Sequence, residues 1–225
     1  MKNSLSLIWC LFTCFLVFAE QSVERNFINA QFKDNILRVS VTDGTYRFAV
    51  FSDEIIETSF LPHGENYSSQ SHALTNSIPQ DASYSENKAS ILLSTNGISL
   101  AINKAPFKIS YHYKEELLIE ESIGYSKDET HEKLNFTITD DEVLYGAGAR
   151  ALGMNRRGHK LELYNKAHYG YETHSELMNF TMPVVMSSKK YVLHFDNTAI
   201  GYLDLDSNND NSINNNSKIA ITDII

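Results

Sequence analysis

The sequence predicts an all-β fold, a β-sandwich, and three observations carry that prediction. Apolar residues recur with a period of two through most of the chain, in short runs rich in Val, Ile, Tyr and Phe. Turn signals of the Asp-Gly and Asn-Gly kind stand between those runs, and no segment keeps a helical period. The 225 residues are enough for one large β-domain or two small ones, each with a core of its own.

The first residues read as an export leader. Lys2 supplies a positive start, an apolar run extends from Leu5 to Phe18, and Val17 and Ala19 occupy the −3 and −1 cleavage positions. Residues 1–19 are therefore expected to be a signal peptide, and the mature protein secreted or periplasmic. The apolar run falls short of the roughly 20 residues a membrane-spanning helix needs, so no membrane association is expected. Both cysteines, Cys10 and Cys14, lie in this leader, so the mature chain would hold no disulfide, no thiolate nucleophile and no Cys-ligated zinc. Trp9 and Thr13 stand where a lipoprotein leader would carry a small residue.

The chain carries a net charge of −9, and loss of the leader removes one further cation, Lys2. An acidic protein is a poor partner for nucleic acid or anionic lipid, and neither is expected. Arg156-Arg157-Gly158-His159-Lys160 is the one basic cluster, too small to track a phosphate backbone.

Residues 20–206 are expected to form the sandwich. In "ILRVSVTDGTYRFAVF" Leu37, Val39 and Val41 alternate up to Asp43-Gly44, a hairpin-type turn, and Tyr46, Phe48 and Val50 resume the pattern. "ILLSTNGISLAI" repeats the device around Asn96-Gly97. "FKISYHY", "KLNFTI", "PVVM", "KYVLHF" and "IGYLDL" read as further strands, and the polar stretch from His63 to Asn87 as a long loop. Residues 207–225, with "SNNDNSINNNSK" at their start, have almost nothing to bury and are expected to be a disordered tail.

Several kinds of chemistry can be weighed from residue types. Asp204, Asp206, Asn208 and Asp210 alternate as in the first half of a calcium loop, but Asn209 and Asn215 replace its Gly and its bidentate Glu. His168, Glu172 and His174 would share one face of an extended strand, which two imidazoles and a carboxylate could use for a metal, though exposed strands often alternate polar residues. No metal or cofactor is expected. Gly146-Ala147-Gly148 lacks the third glycine and the following helix of a nucleotide loop. Asp140-Asp141-Glu142 and Asp204/Asp206 are carboxylate pairs by type, but adjacency in sequence does not set two acids across one glycosidic bond, and no catalytic residue is assigned. Tyr164, Tyr169 and Tyr171, with Arg157, Asn165 and His168, form another constellation: aromatic faces stack on sugar rings while Asn, Arg and His bond hydroxyls. The same tyrosines could equally bridge core and solvent in a sandwich.

From Glu142 to Asp206 the chain resembles the N-terminal β-sandwich of glycoside hydrolase family 31, the α-glucosidase and α-xylosidase family. "EVLYGAGARAL" is similar to its Tyr-Gly-Leu-Gly-Glu-Arg turn, "NRRGHKLELYN" to its Arg-Gly segment with an aromatic-Asn pair, and "MNFTMPVVMSS" and "YVLHFDNTAIGYLDLDS" to the strands that follow. The resemblance implies a galactose mutarotase-like supersandwich packed on a (β/α)8 catalytic barrel, whose own two Asp residues would serve as nucleophile and acid/base in a retaining mechanism. It further implies a loop, Tyr164-Asn165-Lys166-Ala167-His168, that helps shape the sugar subsites for an α-linked oligosaccharide. Ala149 stands where the family has Glu. Ala167 stands where many α-glucosidases carry a substrate-binding Asp, and alanine accepts no hydroxyl hydrogen bond. The expected function is an accessory domain, inactive alone, and the alternative is a free-standing secreted carbohydrate-binding module.

Overall fold

The computed structural model describes residues 24–65, 71, 73 and 79–218. The expected signal peptide lies outside them, as do residues 219–225. The described residues contain no helix, and so none long and apolar enough to cross a membrane.

The chain opens with an antiparallel meander of β1 (Phe27–Lys33), β2 (Ile36–Val41), β3 (Gly44–Ser52) and β4 (Ile55–Pro62). A nine-stranded antiparallel sheet follows. β5 (Ser83–Glu86), β6 (Ser90–Ser94), β7 (Ile98–Lys104), β8 (Phe107–Tyr113), β9 (Glu116–Lys127) and β10 (His131–Thr137) run in sequence order, and β16 (Ser212–Lys218), β15 (Gly201–Leu205) and β12 (His159–Leu163) complete it beyond β10. A small third sheet holds β11 (Leu144–Gly146), β13 (Val184–Ser187) and β14 (Val192–His194).

Alternation builds two cores on the large sheet. Leu37, Val39 and Val41 of β2 and Tyr46, Phe48 and Val50 of β3 pack against Ile91, Leu93, Leu100, Ile102 and Ile109 of β6 to β8. At the other end Leu144 and Val185 of the small sheet meet Phe136, Leu161, Leu203, Leu205 and Ile213. Tyr111 packs against both clusters, so the sandwich is continuous.

A buried polar network marks the seam. Arg25 donates to both Asp43 carboxylate oxygens at 2.6–3.1 Å, to Tyr46 Oη at 2.7 Å and to the Tyr125 carbonyl at 2.7 Å. Tyr46 and Tyr111 in turn donate to Glu121 Oε2 and Oε1 at 3.2 and 3.1 Å. Burial pushes the Glu121 carboxyl up to about 7, against the pull of those two hydroxyls and the Arg25 charge. The strand bulges here. Asn135 pairs with Gly124 and Phe136 with Glu121, so Ser122 and Ile123 are extra on β9. Gly124, at φ 73°, has no room for a side chain: a Cβ would lie 2.6 Å from Tyr46 Oη.

Three expectations change. Thr42 and Asp43 form the hairpin turn between β2 and β3, and Gly44 already belongs to β3. Its small size is needed because a Cβ would sit 2.4 Å from the Leu61 carbonyl oxygen. The polar stretch expected to be one loop up to Asn87 supplies β5 at the sheet edge. Most notably, the asparagine tract expected to be disordered supplies β16, which pairs in full register with β10 on one side and β15 on the other. Only Ile213 brings apolar burial there. Main-chain ladders on both flanks do the rest, helped by Asn197 Nδ2 bonding Ser217 Oγ at 2.9 Å and Ser217 bonding Asn215 Oδ1 at 3.0 Å.

Candidate functional site

The glycine-rich corner after β11 is a backbone device. Gly146, Ala147 and Gly148 have φ of 111°, 62° and 84°, three consecutive residues in left-handed conformation. They lie so close to the next segment that a Cβ on Gly146 would be 2.3 Å from the Val184 carbonyl oxygen, and one on Gly148 2.6 Å from that of Phe180. Ala147 N and Ala149 N donate to those same two carbonyls at 2.9 and 2.8 Å. No helix follows, so the corner offers no phosphate cradle.

Arg150 leaves this corner and turns inward, 7% exposed. Its guanidinium donates to three main-chain carbonyls, those of Ala147 at 3.1 Å, Glu162 at 2.6 Å and Glu176. Burial, then the neighbouring Arg156, push it down to about 10. The three bonds tie the corner to the end of β12 and to the long loop, residues 164–182, that carries most of the candidate residues.

That loop has no strand, but side chains staple it. Asn165 Oδ1 accepts from Thr181 N at 2.6 Å and from Thr181 Oγ1 at 2.9 Å. Asn179 Oδ1 accepts from His168 N at 2.6 Å. Ala151 N donates to the Ser175 carbonyl, and His174 N to the Ala151 carbonyl. On this scaffold Tyr169 is 92% exposed and Tyr171 52%. Tyr164 is 37% exposed with Lys166 Nζ 5.3 Å from its ring centre, and His168 is half-buried. Tyr171, Glu172 and Thr173 line an open depression of about 700 Å³ over Ala151.

Arg157 has a different occupation from the sugar contact expected of it. Its Nε bonds Asp206 Oδ2 at 2.7 Å, Nη1 the carbonyls of Thr139, Asp140 and Glu142 at 2.8–2.9 Å, and Nη2 Asn211 Oδ1 at 2.5 Å. The guanidinium clamps the turn before β16 onto the segment before β11. Asn165 is likewise partly committed, because its carbonyl oxygen holds Thr181. Tyr164, Asn165, His168, Tyr169 and Tyr171 share one loop, and the bonds of the Arg157 guanidinium go to other segments.

The other carboxylates are structural too. Glu142, 2% exposed, accepts from Ser187 Oγ at 2.5 Å and from Tyr191 Oη, whose own ionisation burial and this bond push well up. Asp206 is held below the usual carboxylate range: burial opposes its charge, but Arg157 and the amide of Asn211 outweigh it. Asp204 accepts from Ser207. The alternation of His168, Glu172 and His174 presumed an extended strand, and the segment forms none. Among the described residues no three His, Cys, Asp or Glu groups are placed to hold a metal. Residue types alone pointed past Arg150 and Thr173, and offered Glu172 only as a metal ligand. The signal for Arg150 was its place at the end of the Tyr-Gly-x-Gly-x-Arg turn, two residues past the glycine corner.

Comparison with known proteins agrees with this architecture. No curated protein sequence matches the chain significantly. Among solved structures, a mutant of the family 31 dextranase of Flavobacterium johnsoniae complexed with isomaltotriose superposes with a TM-score of 0.79 at 21% identity, over 86% of this chain and 25% of that one. The cycloalternan-forming enzyme of Listeria monocytogenes, in complex with a pentasaccharide substrate, gives 0.73 at 16% identity, over 87% and 20%. A family 31 α-xylosidase from a soil metagenome, complexed with xylose, gives 0.68 at 16% identity, over 85% and 31%. The chain thus spans only about a quarter of the length of the dextranase. Residues 32–204 match the family described as the glycosyl hydrolase 31 N-terminal galactose mutarotase-like domain, and with that match covering most of its length, the chain belongs to this family.

Proposed function

We propose that this chain is the N-terminal domain of an exported family 31 α-glycosidase, and that its loop 164–182 forms part of the wall of an oligosaccharide subsite beside a (β/α)8 catalytic barrel. The observation that carries the reading is a pair of exposed tyrosines, Tyr169 and Tyr171, on a loop that Asn165, Asn179 and Arg150 hold in place. Large rings left bare on an ordered loop suit stacking on a pyranose, and preorganisation lowers the cost of binding. Met186 and Val192 support the barrel contact: they oppose each other on β13 and β14 and are 46% and 59% exposed, with Phe180 and Met182 exposed nearby in sequence. Exposed apolar groups placed together mark a surface made to be covered.

The test is a titration of the purified chain with isomaltotriose and maltotriose, followed by tyrosine fluorescence and calorimetry. Saturable binding that Tyr169→Ala weakens about tenfold supports the reading, since a stacked ring contributes about that much. Absence of binding at tens of millimolar sugar refutes an independent subsite role. Export has its own test: the intact mass of protein recovered outside the cytoplasm should correspond to a chain starting at Glu20.

A further inference from the structure

Arg156 is enclosed, 9% exposed, yet less is done for its charge than for the guanidiniums of Arg150 and Arg157. Its Nη1 donates to the Gly153 carbonyl at 2.7 Å, the one side-chain bond it makes among the described residues. Nε is shut away from solvent and has no partner among them. Arg157 bonds Asp206, Asn211 and three carbonyls. Arg150 has three carbonyls and the attraction of Glu176 and Glu162. For Arg156, burial holds the guanidinium below the ordinary arginine range, with no acid to offset it. The neighbouring charge it feels, that of Arg150, has the same sign. A buried guanidinium with an unmet donor and no counter-ion is unfavourable in the chain by itself.

The backbone fixes the residue in this place. Arg156 N donates to the Leu144 carbonyl at 2.6 Å, and its own carbonyl accepts from His159 N at 3.3 Å. Asn155 Oδ1 accepts from Leu144 N and Arg157 N at 3.3 and 3.0 Å. Nε and Nη2 make up one planar edge of the guanidinium, the kind of edge a carboxylate takes with two parallel bonds. The adjoining surface is open and apolar: a Cβ on Gly153 would meet nothing within 4 Å, and Met154 is 78% exposed. A desolvated arginine bordered by a bare methionine has the composition of an interface anchor. We propose that residues 153–156 are a protein-docking site, in which an Asp or Glu side chain of a partner protein takes the Nε–Nη2 edge of Arg156 and an apolar residue beside it packs on Met154. A carboxylate supplies the missing charge and the missing acceptors together, and the fixed backbone lowers the cost of engaging it.

The probe is the blocked tripeptide acetyl-Leu-Glu-Leu-amide, with acetyl-Leu-Gln-Leu-amide as its uncharged counterpart, titrated into the 15N-labelled chain. The Nε–H signal of Arg156 is expected to shift saturably with the glutamate peptide, at a Kd of about tens of millimolar, and about tenfold more weakly with the glutamine peptide. Met154→Ala should weaken the glutamate peptide about threefold. Arg156→Met should abolish the accompanying amide shifts at Gly153 and Met154. It should also leave the urea midpoint of the free chain unchanged or higher, since no ion pair is lost. An Arg156 signal indifferent to the glutamate peptide overturns the site. So does inorganic phosphate that binds more tightly than the peptide, which marks a site for a free anion. A lowered midpoint for Arg156→Met overturns it as well, because the guanidinium is then satisfied within the chain. Dimers in sedimentation that Arg156→Met dissolves make the occupant a second copy and overturn a separate partner.

Discussion

Replacing Glu121 by Gln is expected to flatten the pH dependence of folding stability around neutrality. Glu121 is fully enclosed, and burial raises its carboxyl from 4.5 to about 7. A raised carboxyl binds its proton more tightly folded than unfolded, so its contribution is complete below pH 4.5 and is lost as pH rises through about 7. At about 1.4 kcal/mol per pKa unit the loss amounts to roughly 3 kcal/mol, with no solvent screening to discount it. Gln keeps the shape. Its oxygen can accept from Tyr46, and its amide can donate to Tyr111 Oη, which then donates to Thr58 Oγ1 at 2.8 Å. Arg25 retains Asp43 as counter-ion. Urea unfolding of both proteins from about pH 4.5 to 8 isolates the effect, because other titrating groups cancel in the difference. The variant should gain on the parent by about 3 kcal/mol across that range. Parallel stability curves would refute the reasoning, since they would mean that Glu121 ionises in the folded protein as it does in the unfolded one.

Other outcomes follow from single contacts. Arg157→Met should cost about 3–5 kcal/mol in urea unfolding, because it leaves Asp206 buried without its partner and three carbonyls without a donor. Gly201→Ala should cost about 1–3 kcal/mol or more, since a Cβ would lie 1.9 Å from the Asn216 carbonyl oxygen and force β15 from β16. Ile213→Ala removes the one large apolar side chain of β16, 0% exposed, and should lower stability by about 2–5 kcal/mol with loss of amide protection along that strand. Tyr169→Ala, by contrast, should leave the unfolding midpoint within error, because its ring is 92% exposed.

The strands legible in advance were those whose information is local. Leu37 to Val50 alternate because each second side chain enters the core, and a turn between two such runs needs only neighbours to specify it. The family was legible for a related reason. Its turn, its aromatic-Asn pair and its paired strands come in a fixed order along the chain, and order survives when single residues change. The tyrosines of the loop were legible as residue types, but their exposure was not, since a ring in a sequence looks the same whether it is buried or bare.

What needed the tertiary structure was every case in which a polar residue finds its partner far along the chain. Arg25 meets the Tyr125 carbonyl across 100 positions, and Arg157 meets Asp206 across 49. Residue type therefore suggested a ligand contact for Arg157 where the fold has a clamp. β16 is the clearest instance. "SINNNSK" carries too little apolar surface to order itself, and it becomes a strand because β10 and β15 present open ladders on both sides. Composition by itself determined which segments could bury themselves. The tertiary structure decided which polar segments would be buried with them, because backbone hydrogen bonding is blind to side-chain type and depends only on which neighbours come within reach.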